Sequence, residues 1–533
     1  MKKLSVLILL VVAVTLVFVS CNRRSATGPD AYANAPNEVS VIVLDRGQIA
    51  ASEGDYANNR WTRWANENSP VRVTFVPVPR TASSSTMTTM FASGTAPDLI
   101  AEYNRGFLDR FYDQGVIQPV DEYIERYSTA YKEYQIRNPD LVPFLIGLDG
   151  KQYGITSRRT PLQVVNQGIM VRKDWLDRWG MAIPITTDDA LAFMRRARAE
   201  DPSGLGTWGV GTDYSFRGVI DVMFGAAAVG FNVVNGHFVD WSSTPAYRDA
   251  LQFRATVFQE GLIDPEFITD TNFVRQRQFM ATGRIAMRIQ GGPSQNDYAD
   301  LIRNVPTADF VSIEPLTTPY GKTGFISEVP FLHMVLMNKD ARNPRAAIEF
   351  IDWMISDGYW NMSFGEEGRH YRMVNGVPQV IDQAINAVET NYIDGNHEFA
   401  IVSDLAARVN AVGIQNWIIT RAAQDPTSQA YARVWGQFVA NSQANPHRFF
   451  VPFAPSSPTI QEFATNTGAG INSGSRIDAI ETAIMMGRIS VDEGLRQINE
   501  YKNSLGWERI NAEKDAWFQA NRQNFQAFSH MWY

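Results

Sequence analysis

The strongest constraint on the fold is an alternation of strand and helix patterns that begins near the start of the chain. Residues 39–44 (VSVIVL) and 71–77 (VRVTFVP) are rich in β-branched residues and predict strands, and residues 98–100 open a third strand. Between the first two strands, Trp61 and Trp64 lie among polar residues, as on one buried face of a helix. Strands that alternate with helices form βαβ units on a largely parallel sheet. We therefore predict an α/β fold.

The same rhythm breaks and restarts near residue 155 and again near residue 290. Two α/β lobes that the chain crosses more than once would produce this pattern. From about residue 343 onward, helical spacing dominates, as in residues 345–355, where Phe350 and Met354 share one face. The predicted architecture is two lobes with a helix-rich C-terminal part.

Composition and charge limit the classes of function. The chain has 533 residues, 45% of them hydrophobic and 20% charged, which is ordinary for a globular protein and enough for two or more domains. The net charge is −8, without basic clusters, so nucleic acid is not a predicted partner.

The first residues have the pattern of an export signal. Lys2 and Lys3 precede an apolar run over 4–19, and Ser20 stands directly before Cys21. An uncleaved transmembrane anchor is the alternative, because the apolar run approaches the length that crosses a bilayer.

Cys21 is the only cysteine, so the exported domain has no disulfide and depends on its hydrophobic core. The segment Phe18–Val19–Ser20–Cys21 resembles the lipobox of bacterial lipoproteins, with Phe18 in place of the usual leucine. The resemblance implies a signal peptide over 1–21 that ends at a lipidated Cys21. Residues 22–37 are small, polar and interrupted by proline, and predict a flexible tether.

Seven segments between Phe91 and Tyr371 resemble, in the same order, those of the solute-binding proteins of carbohydrate-type ABC importers. The long, lipoprotein-type members of that family resemble the chain most. The segments are FASGTAPDLI (91–100), GVIQPVDEYI (115–124), DGKQYGI (149–155), RKDWLDRWG (172–180), GLIDPEF (261–267), GRIAM (283–287) and GEEGRHY (365–371).

The resemblance implies a two-lobed periplasmic-binding-protein fold of type II, and an importer's permease subunits as partners. It also implies capture of an oligosaccharide or related small solute between the lobes, and attachment to the membrane through the lipid. We assign 38–156 with about 293–340 to lobe 1. We assign 157–292 with about 341–475 to lobe 2, and leave the lobe of 476–533 open.

Most of these motif residues have a structural explanation of their own. Asp149 and Gly150 predict a hairpin turn. Trp175, Leu176 and Trp179 have the spacing of a helix face that packs into a core. No motif by itself identifies a solute contact.

Candidate binding residues in lobe 1 follow predicted strands or lie at the first crossover between lobes, because ligands bind at the carboxyl ends of parallel strands. Aromatic rings suit the C–H faces of a sugar, and charged or amide groups suit its hydroxyls. The candidates are Asp45, Arg46, Tyr103, Arg158 and Arg159.

Candidates in the rest of the chain lie in glycine-rich segments, at later crossings and in loops. They are Trp208, Gly291, Glu328, His370, Tyr371 and Trp417. Residues 204–211 (GLGTWGVG) also permit a nucleotide-binding glycine loop, although no capped helix follows them.

Two other classes of function stay open. A secreted glycoside-active enzyme would need two carboxyl groups about 5–10 Å apart, and a lipoprotein adhesin or sensor would need no transporter. The sequence has no HExxH helix, no Gly-x-Ser-x-Gly segment and six scattered histidines, so we predict no enzyme and no metal or other cofactor.

Overall fold

A computed structural model describes residues 32–103, 106–147, 149–159, 167–211, 216–226, 231–270, 274–291, 295–325, 330–393, 398–405, 411–422, 426–445, 476–523 and 526. Cys21, most of the predicted tether and Glu328 lie outside the described residues. No helix within these ranges combines the length and the apolar character needed to cross a bilayer.

The described strands form two larger sheets and two hairpins. They are β1 (Glu38–Asp45), β2 (Arg72–Pro79), β3 (Leu99–Glu102), β4 (Ile117–Gln118), β5 (Gly154–Arg158), β6 (Gln167–Arg172), β7 (Trp208–Gly211), β8 (Phe231–Val234), β9 (His237–Asp240), β10 (Ile285–Gly291), β11 (Phe310–Ile313), β12 (Phe331–Asn338), β13 (Tyr371–Val374) and β14 (Val377–Val380).

The first sheet has the order β2-β1-β3-β12-β4, and β5 also pairs with β12. Strands β1, β2 and β3 are parallel, whereas β12 runs antiparallel to β3, β4 and β5. All eight residues of β12 are buried, since both faces of this inserted strand are covered. The predicted strands over 39–44, 71–77 and 98–100 are confirmed, with ends that differ by one or two residues.

The second sheet has the order β11-β6-β10-β7. Strand β10 is parallel to β7, and β6 is antiparallel to both β10 and β11. Two separate sheets with helices on them give the two-lobed α/β fold that the alternation of elements predicts.

The first eight described helices lie between the strands along the chain, singly or in pairs. They are α1 (Arg60–Asn68), α2 (Ser83–Ala92), α3 (Gly106–Asp113), α4 (Asp121–Tyr127), α5 (Ala130–Arg137), α6 (Lys173–Trp179), α7 (Thr187–Glu200) and α8 (Phe216–Met223). The side chain of Asn59 caps α1 by accepting the backbone N–H groups of Trp61 and Thr62, which the first turn of a helix leaves unpaired. Trp61 is then fully buried against the first sheet.

Helical elements dominate the later part of the chain. They are α9 (Pro245–Gln259), α10 (Val274–Ala281), α11 (Gln295–Asn304), α12 (Pro344–Trp353), α13 (Tyr359–Phe364), α14 (Gln383–Glu389), α15 (Ala411–Ala422), α16 (Pro426–Ala444), α17 (Arg476–Met485), α18 (Val491–Ser504) and α19 (Trp507–Asn521). The predicted helix over 345–355 corresponds to α12, which Asn343 caps and Pro344 begins.

Strand pairing and core contacts divide the lobes differently from the assignment made on the sequence. The segment 293–340 splits, because β11 pairs with β6 of the second sheet and β12 pairs with β3 of the first. Helix α12, assigned to lobe 2, packs into the core of the first sheet. Helices α17 and α18 pack on α9, so that part of the C-terminal region belongs with the second lobe. Strand patterns carry no information about the partner strand, which is why the boundaries shifted.

The chain turns sharply at the predicted hairpin. The backbone N–H of Gly147 bonds to the carbonyl of Lys151 at 2.9 Å, and Gly150 has a φ of 76°, a conformation that glycine adopts without strain. Trp175 and Leu176 of α6 are buried in the core of the second lobe, with Trp179 partly buried beside them.

Candidate functional site

The carboxyl ends of four strands of the first sheet lie at one edge. Strands β1, β2 and β3 are mutually parallel, and β5 runs in the same direction because both it and β3 are antiparallel to β12. Arg46, Arg80, Tyr103 and Arg159 each directly follow one of these strands. His333, near the start of β12, lies at the same edge.

Tyr103 is at the centre of the edge cluster, by which we mean Arg46, Arg80, Glu102, Tyr103, His333 and Glu398. Its ring centroid is 4.1 Å from that of His333, with the two ring planes inclined by 37°. The guanidinium carbons of Arg80 and Arg46 are 5.3 and 5.9 Å from the Tyr103 centroid, within the range of cation–π attraction. The ring is therefore held by cationic and aromatic neighbours before any solute binds.

Glu398 joins Tyr103 to Arg46. Its Oε1 accepts a hydrogen bond from Nε of Arg46 at 2.5 Å, and its Oε2 accepts one from the phenol of Tyr103 at 3.1 Å. The Glu398 side chain is 1% exposed. Burial raises the pKa of this carboxyl, although the charge of Arg46 opposes the shift. Burial also raises the pKa of Tyr103 well above its usual range, and the negative charge of Glu398 adds to the effect.

Glu102 anchors the second arginine in the same way. Its carboxylate is 3.3 Å from Nη1 of Arg80 and accepts the backbone N–H of Tyr103 at 2.8 Å. Since the Glu102 side chain is only 2% exposed, each arginine of the edge cluster has a buried carboxylate behind it. Such pairs restrict where a guanidinium can point.

The other lobe 1 candidates lie at the edge with internal partners. Arg158 donates from Nε to Asn138 at 2.8 Å and forms an ion pair with Asp140. Arg159 donates from Nε to the carbonyl of Phe331 at 2.8 Å, which fastens the end of β5 to the start of β12. The carboxylate of Asp45 accepts the N–H of Gly47 at 2.7 Å and turns the chain after β1.

His370 is fully buried and contacts an ionic cluster whose arginines reach the surface. Its Nδ1 accepts the N–H of Glu366 at 2.9 Å, its Nε2 is 2.8 Å from Glu389, and its ring packs edge-on against Trp61. Glu389 also binds Arg369, which is the main reason that its pKa falls to about 2. The structure gives His370 no surface on which a solute could lie.

Tyr371 is buried against Trp360 and Phe364 and lies in the β13–β14 hairpin. Trp417 is half-buried on α15, which packs against that hairpin. Tyr371 therefore packs among the aromatic side chains of α13 and not on Tyr103.

In the second lobe, the two candidates lie at opposite ends of paired parallel strands. Trp208 begins β7, where its ring lies between Arg198 and Phe279. Gly291 ends β10 and faces Gln167 of β6. Only Gly291 is therefore at a carboxyl end.

The glycine-rich segment before β7 is closed by its own aspartate. Asp201 accepts the backbone N–H groups of Gly206 and Thr207 at 3.0 and 2.7 Å, and the hydroxyls of Ser203 and Thr207. A phosphate would need the same N–H groups, and a strand rather than a helix follows. The nucleotide-loop alternative finds no support here.

Four members of the edge cluster were not among the sequence candidates: Arg80, Glu102, His333 and Glu398. Arg80 follows β2 as directly as Arg46 follows β1, so the same rule would have selected it. Glu398 is 295 residues from Tyr103 and directly follows none of the described strands, and no local signal marks it. Within the described ranges, no group of three or more histidine, cysteine or acidic side chains is arranged to hold a metal ion.

Residues 50–359 match the family model of the bacterial extracellular solute-binding proteins. The match covers more than half of the chain, so the protein belongs to this family. The predicted resemblance is thereby confirmed at the level of the family.

Curated relatives match over part of their lengths. The fructooligosaccharide ABC transporter substrate-binding protein FusA of Streptococcus pneumoniae serotype 4 is 28% identical over 196 residues, which are 33% of this chain and 36% of FusA. Lipoprotein LipO of Bacillus subtilis strain 168 is 24% identical over 335 residues, 58% of this chain and 62% of LipO. The matches thus span between about a third and three fifths of these relatives.

Solved structures match over nearly their whole length. The alginate-binding protein AlgQ2, without calcium ion, has a TM-score of 0.69 at 17% identity and covers 91% of this chain and 98% of its own. An HMO-binding, ABC-transporter-associated solute-binding protein from Bifidobacterium longum infantis has a TM-score of 0.70 at 17% identity, with coverage of 91% and 99%. At these identities the likeness shows the fold, which is the two-lobed periplasmic-binding-protein fold.

Proposed function

We propose that this protein is the substrate-binding component of an ABC importer, that a lipid on Cys21 anchors it to the membrane, and that it captures an oligosaccharide between its lobes. One observation carries the proposal: in a chain of the solute-binding family, the carboxyl ends of β1, β2, β3 and β5 bring cationic and aromatic side chains to one edge. Parallel strands bind ligands at that edge. The name of the relative FusA, which specifies fructooligosaccharide, supports a sugar as the solute.

Capture requires closure of the lobes around the solute. The chain passes from the first sheet to the second after β5 and returns between β11 and β12. A third passage follows residue 405, because α16 packs on β11 of the second sheet. Several segments that connect two lobes can act as a hinge, and the solute drives closure only by binding the closed form more tightly than the open one.

The two carboxylates of the edge cluster are bound to neighbouring side chains, which agrees with a protein that binds its solute and does not cleave it. Glu398 is committed to Arg46 and Tyr103, and Glu102 to Arg80 and the backbone of Tyr103. A glycoside-active enzyme needs one carboxyl that can protonate a leaving group and another that can act as base or nucleophile. Neither residue is placed for such a role, so we propose that the protein is not an enzyme.

Titration of tryptophan fluorescence with a panel of oligosaccharides tests the capture proposal on the full chain purified in detergent. We expect a saturable change with at least one oligosaccharide and unchanged sugar in the recovered sample. Tyr103→Ala should weaken that response, and Tyr320→Ala, a change on the surface of the second lobe, is the matched control. Release of a shorter sugar would establish the enzyme alternative, and a flat titration with every sugar would contradict capture.

The anchor has its own test. Cys21→Ala removes the only thiol that could carry the lipid. We expect the variant to leave the membrane fraction, whereas Ser20→Ala, which keeps a small residue before the cysteine, should stay with it. Tight retention of the Cys21→Ala protein would point instead to an uncleaved transmembrane helix.

A further inference from the structure

In each of the two ion pairs of the edge cluster, the arginine is more exposed to solvent than its carboxylate partner. The side chains of Arg46 and Arg80 are 29% and 33% exposed, whereas those of their partners Glu398 and Glu102 are 1% and 2% exposed. Although the pairs are neutral as a whole, the positive ends face outward and the negative ends lie behind them. A solute that approaches the edge therefore meets guanidinium groups first.

Each guanidinium uses only a part of its donors on the described protein. Arg46 donates to Glu398 through Nε, and Arg80 donates to Glu102 and Ser83 through Nη1. An arginine has five N–H donors in a planar fork, and this fork matches the two oxygens of a carboxylate or the oxygens of a sulfate. Among the described residues, these bonds leave part of each guanidinium fork for a solute.

The Tyr103 ring is poorly suited to stack on a neutral sugar. One neighbour, His333, lies within 4.1 Å of its centroid, and two cations lie within 6 Å. A platform for the apolar face of a sugar needs an uncovered ring, whereas this ring is surrounded and instead orients the two guanidinium groups beside it. Recognition at this edge is consequently electrostatic and by hydrogen bonds.

Resting on the proposed capture function, we infer that the solute is an acidic oligosaccharide whose carboxylate or sulfate group binds between Arg46 and Arg80. Both groups have the planar or trigonal set of oxygens that paired guanidinium groups recognise. The buried carboxylates of Glu398 and Glu102 hold the arginines in place, so little side-chain entropy is lost when the anion binds.

Calorimetric titration of the full chain with charge-matched sugars tests this inference. Tetragalacturonate supplies carboxylates, its methyl ester is the same sugar without charge, and neocarratetraose sulfate supplies a sulfate without a carboxylate. We expect at least one of the two acidic sugars to bind tenfold or more tightly than the ester. Which acidic sugar binds tells whether the anion is a carboxylate or a sulfate.

Substitutions locate the effect. Arg46→Lys and Arg80→Lys keep the positive charge against Glu398 and Glu102 but remove the fork, and each should weaken binding of the acidic sugar about tenfold. Arg195→Lys is the matched control, because Arg195 of the second lobe forms a forked pair with Glu260 at the surface. It should leave the affinity unchanged.

The possible results separate the two proposals. Equal or tighter binding of the ester, or of a neutral oligosaccharide, would overturn the acidic-solute inference and leave capture standing. Binding of acidic sugar that survives both lysine substitutions would overturn the assignment of the anion to Arg46 and Arg80. Failure of all acidic and neutral sugars to bind would overturn capture as well.

Discussion

The phenol of Tyr103 donates a 3.1 Å hydrogen bond to the carboxylate of Glu398, a residue 295 positions further along the chain. Because Glu398 also binds Arg46, this bond fastens the ends of β1 and β3 to a segment that follows α14. The edge cluster is therefore assembled by the fold itself. A site of this kind loses little entropy when it binds its solute.

Tyr103→Phe should lower the free energy of unfolding by about 1–3 kcal/mol, because it leaves an oxygen of the buried Glu398 without its donor. Urea unfolding measures the change. Tyr320→Phe is the matched control: its phenol donates to Asp249 at 2.8 Å on the exposed surface, and its loss should cost under about 0.5 kcal/mol. Equal losses of unfolding free energy in the two variants would show that the buried bond to Glu398 stabilises the fold no more than an exposed bond does.

The Glu389 cluster should make stability depend on pH in the acid range. Hydrogen bonds from Arg369, with His370 and Arg60 beside it, lower the pKa of Glu389 to about 2 from its ordinary value of 4.5. Between these two pH values the unfolded chain binds more protons than the folded one. The contribution of Glu389 is thus complete above about pH 4.5 and is lost as the pH falls towards 2.

Urea unfolding between pH 2 and 6 tests this dependence. Glu389→Gln should be less stable than the original protein at pH 6, and the difference should shrink as the pH falls. Arg369→Gln, which removes the largest cause of the shift, should move the loss of stability to higher pH. Parallel curves for the original protein and Glu389→Gln would contradict the linkage.

The loop closed by Asp201 predicts a graded pair of variants. Asp201 has a φ of 40° and accepts hydrogen bonds from two backbone N–H groups and two hydroxyls. Asp201→Asn keeps an acceptor and suits the left-handed backbone, so it should cost about 1 kcal/mol, roughly the worth of one net hydrogen bond. Asp201→Ala loses both advantages and should cost about 2–3 kcal/mol. Equal losses in thermal or urea unfolding would contradict this account.

The sequence pattern correctly predicted those parts of the molecule that depend on residues close together in the chain. Strands β1 and β2 were found because β-branched residues recur in their own sequence, and Arg46 and Tyr103 were found because they follow strands. The rule that selected them applies equally to Arg80. The fold and one side of the edge cluster were therefore accessible from the sequence.

Tertiary pairing determines the rest. Strand β12 inserts between β3 and β4. Its residue Met334 pairs with Glu102 of β3, which is more than two hundred residues away in the sequence, so no pattern near either residue predicts the contact. The same applies to Glu398 and to the membership of β11 in the second sheet. His370 was selected from a loop motif, and its burial in an ionic cluster depends on Trp61 and Glu389 from distant segments.

The packing of α16 on the second sheet can be tested at one glycine. A Cβ added to Gly168 of β6 would lie 2.3 Å from Cε2 of Phe438 on α16, a distance that no relaxed contact allows. Gly168→Ala should therefore cost about 1–3 kcal/mol or more of unfolding free energy, as overpacking of a close-packed core does. Gly436→Ala on the same helix is the matched control, because its nearest neighbour, Ile418, is 3.5 Å away, and helix propensity favours alanine by about 1 kcal/mol.

Phe438→Leu should recover part of the loss when combined with Gly168→Ala, since it withdraws the clashing ring. If the double variant loses the sum of the two single losses, as measured in urea, α16 does not pack on β6 through this contact.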